Sequence, residues 1–263
     1  MSKLTETIQI ESRPSLRDPL MILAFRGWND GGQAATNVVR WLIKSLDAKR
    51  FATIDPEEFY VFSENRPTVQ LVDGETRREI HWQKNEFYHA ALPGADRDVV
   101  LFLGTEPNLR WRTYCDLVTG LAKSHGVRSG VTLGAYLADV LYTLPVQING
   151  FASDLSVVDA HGLQRTNYEG PTGIVGVIND HMHQLNMETL SLWAAVPYYI
   201  SIPNPKAVFS LVEKLKAIYG LQLDTAEMEK DADEFDNEIN DVVAKDPNVA
   251  AYVRELKKRD FLN

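Results

Sequence analysis

The chain has 263 residues, 44% of them hydrophobic and 24% charged, with a formal net charge of −9. That balance suits a globular α/β chain, and no apolar run approaches the ~20 residues of a membrane helix. Ten acids in residues 221–246 stand against Lys230 and Lys245, so the rest is close to neutral; without a Lys/Arg cluster, nucleic acid and anionic membrane are excluded as partners.

Taken in order, residues 1–19 read as a loosely held polar arm without the basic start and apolar centre of a signal peptide. Residues 20–25 are an apolar run of the buried-strand kind, followed by Gly27-Trp28-Asn29-Asp30-Gly31-Gly32. Ala34, Ala35, Val38, Val39, Leu42 and Ile43 then recur with helical spacing. Strand, glycine loop and helix follow one another here without GxGxxG or Gly-Lys-Ser/Thr, so a nucleotide reading is weak. A tight strand-to-helix turn accounts for the glycines but not for Trp28, Asn29 and Asp30.

Residues 57–62 suggest a short strand, residues 68–82 a hairpin turning on Asp73-Gly74, and residues 86–91 a further strand. Residues 98–103 form a second apolar strand, running through Gly104-Thr105-Glu106-Pro107 into a helix over about 109–124. Residues 127–133, closed by Gly134-Ala135-Tyr136, give a third central strand, residues 146–151 a fourth and residues 190–196 a fifth. Before the fifth, the turn Gly170-Pro171-Thr172-Gly173 opens a helix carrying Ile174, Val177, Ile178, Met182 and Leu185 on one face. Strands alternating with helices predict a mostly parallel sheet covered on both sides.

Asn204-Pro205 is a cap followed by proline at the first helical position. Gly220 ends that helix, and Asp224 with Glu227 suggests a capping box for the next. Met228, Ala232, Phe235, Ile239 and Val242 then form a narrow stripe on an acidic helix, and Asp246-Pro247 starts a last one. The two helices are expected to lie as a hairpin against the main domain, with a partner-binding coiled coil as the alternative. The division is therefore an α/β domain over residues 1–220 and a small acidic helical subdomain over 221–263.

Several chemistries fail on spacing. His181 and His183 point about 200° apart on a helix, so they cannot share a metal ion, and HExxH and CxxC are absent. Ser153, Asp154 and His161 lack a GxSxG elbow, leaving a hydrolase unsupported. Asp231-Ala-Asp233 begins like a calcium loop but has Asp236 where glycine is obligatory. The single Cys115 reads as a packed thiol and, with no disulfide available, fits a reducing cytoplasm. No catalytic residue, metal or cofactor is assigned. What remains is a cleft at the carboxyl edge of the sheet, where ligands bind in open parallel sheets. It is expected to gather Gly27, Trp28, Asn29, Asp30, Glu106, Arg110, Trp111, Tyr168, Gly170, Pro171, Thr172 and Gly173, with Glu106 paired to Arg110.

GWNDGGQAA, EPNLRW, LGAYLADVLYTLPV, YEGPTGIVGV, SLWAAVPYY and IPNPKA occur in the order and spacing of the PAC2 family. That family comprises proteasome-assembly-chaperone-like proteins of archaea, actinobacteria and eukaryotes. The resemblance spans residues 20–215, and the acidic C-terminal helices resemble the extension of the longer actinobacterial members. It implies a three-layer α/β/α core of the phosphorylase/hydrolase-like kind, a small helical subdomain, a homotrimer and a non-catalytic assembly role through protein contacts. The competing class is a small-molecule binder or enzyme with phosphorylase-like or carboxylate–amine ligase-like chemistry. The chain lacks a glycine-rich ATP-grasp loop and paired magnesium carboxylates. It also departs from the family pattern: Leu141-Tyr142-Thr143 stands where many relatives read Pro-His-Thr, and the tail Phe261-Leu262-Asn263 has leucine where proteasome-docking members have tyrosine.

Overall fold

The computed structural model describes residues 7–72, 74, 76–165 and 167–260. Its centre is β2 (Leu20–Arg26), an apolar strand whose alternate side chains serve two cores. Leu20, Ile22 and Ala24 join one cluster, while Met21, Leu23 and Phe25 join the other. Burial on both faces explains why the run shows no polar alternation. β2 pairs in parallel with β7 (Asp98–Thr105) and β8 (Ser129–Ala138), and β8 pairs in parallel with β11 (Glu188–Pro197).

Around these four strands the sheet continues antiparallel. β6 (Glu86–Ala91) joins β7, β3 (Lys49–Ile54) joins β6, and β1 (Ile8–Ile10) joins β3. On the other side β9 (Ile148–Ala152) runs antiparallel to β11, and β10 (Gln164–Arg165) is parallel to β9. The first cluster lies beneath α1 (Ala34–Ser45), α3 (Leu155–Ala160) and α5 (Pro205–Tyr219). The second lies beneath α2 (Trp111–Ser124) and α4 (Ile174–Gln184). This is a three-layer α/β/α fold around a mixed sheet with a parallel centre.

Four local expectations give way. Residues 57–62 are turn and irregular chain, and the strand in that region is β3, which starts on Lys49 and Arg50 and so does not open on an apolar run. Gly134-Ala135-Tyr136 is not a loop, because β8 continues in register to Ala138 opposite Pro197. Gly134 is there to clear the Trp193 ring: a Cβ would lie 2.5 Å from it. The strand near residues 146–151 is antiparallel, since the crossover before it carries no helix. The hairpin of β4 (Thr68–Leu71) and β5 (Arg78–His81) exists, but Leu71 opposes Arg78, so residues 72–77 separate the strands and no two-residue turn fits. Asp73 and Glu75 lie outside the described residues, as do residues 1–6 of the arm and the tail Phe261-Leu262-Asn263.

Helix starts follow the sequence more closely. Asn204 caps α5, its Oδ1 accepting from Ala207 N at 2.9 Å, and Gly220 ends the helix at φ 64°. Asp246 accepts from Asn248 N and Val249 N at the start of α7 (Pro247–Asp260). The capping box does not form: Thr225 holds the cap position of α6 (Ala226–Lys245), and Asp224 bonds Ala226 N instead. Cys115 is fully buried, and burial pushes its thiol up to about 12, as befits a packed residue.

Candidate functional site

The loop after β2, the loop after β7 and the start of α4 meet at one carboxylate. Glu106 Oε1 accepts from the Asn29 side-chain amide at 3.1 Å and from Ile174 N, the first amide of α4, at 2.8 Å. Its Oε2 accepts from Trp28 N at 3.2 Å. A carboxylate on the unsatisfied amides of a helix N-terminus is favoured by both hydrogen bonding and the helix dipole. The approach is close enough to fix the flanking residues. A Cβ on Gly173 would lie 2.1 Å from Asn29 Nδ2, and one on Gly27, at φ 140°, would lie 2.9 Å from Glu106 Cβ.

Asn29 is 2% exposed, and its carbonyl accepts from Ala135 N at 2.8 Å, fastening the loop to β8. Asp30 caps the turn into α1: Oδ1 accepts from Thr36 N at 3.0 Å and Oδ2 from Thr36 Oγ1 at 2.6 Å. Burial raises its carboxyl above the ordinary 3.8, and the Thr36 bonds and the Arg40 charge only partly offset this. Both acids thus have both oxygens engaged by the protein, which leaves neither placed as an open general base.

The expected Glu106–Arg110 pair does not form. Arg110, at φ 56° in the residue before α2, forms an ion pair with Glu58 on the outer surface. Trp111 Nε1 donates to Pro107 O at 2.6 Å, holding its ring against the second core cluster. Tyr168 stands 65% exposed ahead of α4, its hydroxyl donating to Pro171 O at 2.9 Å, and Gly170 leaves room for that hydroxyl.

An open cleft of about 930 Å³ lies beside the Glu106 clamp. Of the sequence-derived residues it takes in Gly27, Trp28, Glu106, Trp111, Thr172 and Gly173. Asn29, Asp30, Arg110, Tyr168, Gly170 and Pro171 are not part of its wall. Sequence reasoning missed Arg26, which closes the apolar strand, and Arg66, His81, Trp82 and Gln83, which the hairpin brings over the cleft. It also missed Asn85 behind the end of β7, whose Oδ1 accepts from Tyr60 OH, Tyr114 OH and Thr105 N. The order Arg26-Gly27-Trp28, a charge and a tryptophan around a glycine at a strand end, is the signal that could have found Arg26.

His181 Nε2 faces Asp116 Oδ1 at 3.2 Å, joining α4 to α2. Among the described residues no helix is long and apolar enough to cross a membrane.

A family model described as the PAC2 family matches residues 24–243. A PAC2 family protein from Streptomyces avermitilis is 38% identical over 90% of this chain and 100% of its own, with a TM-score of 0.81. A proteasome-assembly chaperone homologue from Mycobacterium tuberculosis is 40% identical over 89% of this chain and 99% of its own, also at 0.81. PbaB from Pyrococcus furiosus, an archaeal proteasome activator, shares the fold at 20% identity and TM-score 0.72, over 90% of this chain and 98% of its own. No curated protein matches the sequence.

Proposed function

This chain belongs to the PAC2 family, and from that premise we propose that it is a non-catalytic assembly protein that works through protein contacts in the cytoplasm. Its partner class is a proteasome-related complex, as the name of the Mycobacterium tuberculosis relative suggests, and its working form is a homotrimer.

The observation that carries this reading is the β4–β5 hairpin. Val69 and Ile80 oppose each other across it, and Leu71 and Trp82 continue the same face at two-residue spacing. These four side chains are 56%, 56%, 58% and 47% exposed. A two-stranded sheet on its own is marginal in water, and a contiguous apolar face is what a protein interface covers. The engagement of both Glu106 and Asp30 in structural bonds supports the non-catalytic half of the proposal.

The test is affinity capture from native lysate with quantitative mass spectrometry, using the wild type and a Val69→Ser/Ile80→Ser double variant. Proteasome subunits enriched by the wild type and lost with the variant are the expected result. Equal recovery, or none with either, counts against it. Light scattering on the same samples should give three times the 29.6 kDa chain mass; a single chain mass would remove the trimer.

A further inference from the structure

We infer that the cleft over Glu106 binds a small anion that carries a planar ring, the anionic group being a carboxylate or a phosphate. The argument begins with charge. Three carboxylates line the wall, and each is already engaged. Glu106 accepts three N–H groups, Glu86 accepts from Arg50 Nη1 at 2.9 Å and Tyr88 OH at 3.0 Å, and Glu64 accepts from the Asn108 amide at 3.1 Å. The cations are less committed. Arg40 donates to Thr36 and Asn37, and Lys84 stands 4.0 Å from Glu86. The side chains of Arg26 and Arg66 have neither an ion pair nor a hydrogen bond among the described residues.

Two guanidinium groups unpaired among the described residues, in one concave site, concentrate positive potential there, while the excess acids of the chain are gathered in residues 221–246. Guanidinium forks bind carboxylate and phosphate alike through paired N–H donors. Arg26 ends β2, the central parallel strand, so the charge lies at the carboxyl edge where such sheets bind ligands.

The ring requirement comes from the other wall residues. Trp28, 65% exposed, and Trp82, 47% exposed, both line the cleft and offer faces for stacking. Gln83, also in the wall, leaves Oε1 buried and without a partner among the described residues, an acceptor that an N–H of the ring system would satisfy, endocyclic as in indole or exocyclic as in adenine. A volume of about 930 Å³ lies within the range of small-molecule sites.

Isothermal titration of the full chain with AMP and with indole-3-acetate tests the inference and separates phosphate from carboxylate. Saturable binding of at least one is expected, with its neutral counterpart, adenosine or indole-3-acetamide, at least about tenfold weaker. Ribose 5-phosphate, which lacks the ring, should likewise bind more weakly than AMP. Arg26→Gln and Arg66→Gln should each raise the Kd about tenfold with circular dichroism unchanged. Wild-type binding should weaken as salt rises, which keeps the test valid if a variant fails to fold. No saturable binding of either anion, equal affinity for the neutral counterparts, or indifference to both arginine variants and to salt would overturn it.

Discussion

Asp30 holds its carboxylate at 8% exposure for the sake of Thr36, which it caps through both oxygens. Because burial raises its folded pKa above 3.8, the folded state keeps the proton over a range in which the unfolded state has released it. Its contribution is therefore present below 3.8 and is lost as pH rises through the raised folded value. Asp30→Asn removes that dependence. Thermal melts of both proteins should show the wild type losing stability relative to the variant as pH climbs from 3.8, with the gap constant above the folded pKa. Parallel profiles through that window would contradict the assignment. The residue scale is also where the sequence was hardest to read. Glu106 and Arg110 have the spacing of a helical ion pair, but that rule needs helix between them, and α2 starts only at Trp111. Glu106 stays in the loop, and its amide partners come from 77 and 68 residues away.

Those partners make Glu106 a joint between elements. It ties the end of β2, the end of β7 and the start of α4, and each tie uses an N–H donor facing an acceptor-only group. In Glu106→Gln the new amide NH₂ must face at least one of those donors. The expected loss is about 1–3 kcal/mol, read as a melting temperature several degrees lower. An unchanged melt would mean the joint is not maintained in solution. At this scale much was legible. β2, β7 and β11 show as apolar runs, and α1, α4 and α5 as one-sided stripes, because burial on two faces or on one leaves a direct mark on composition. β3 and the end of β8 were hidden for opposite reasons. β3 opens on two exposed basic residues, and β8 carries a glycine that marks ring clearance, not a turn. The direction of β9 depends on its connection, which local pattern does not encode.

For the whole molecule, the question is how far the acidic helices belong to the core. The stripe on α6 divides: Met228 joins the cluster under α1 and α5, Phe235 and Ile239 form a third cluster, and Val242 is left 51% exposed. In that third cluster Val253 and Leu256 of α7 also meet Leu141, Tyr142 and Ile200 from the α/β body. Lys206 of α5 adds a polar tie, with Nζ at 2.7 Å from both Asp236 Oδ2 and Tyr142 O. Leu141 and Tyr142 thus serve as the seat for the helices. The two clusters flanking the sheet are otherwise nearly complete without residues 221–263, lacking Leu221, Met228 and the partly buried Leu223 among the described residues. Expression of residues 1–220 should therefore give a chain that still unfolds cooperatively, but at a lower temperature, with Leu141, Tyr142 and Ile200 newly exposed. Each large side chain returned to water costs about 1.5–3 kcal/mol at most, too little together to dissolve two intact cores. A broad melt with strong binding of a hydrophobic dye would show instead that the helices complete the fold, and that the boundary at Gly220 is only the end of a helix.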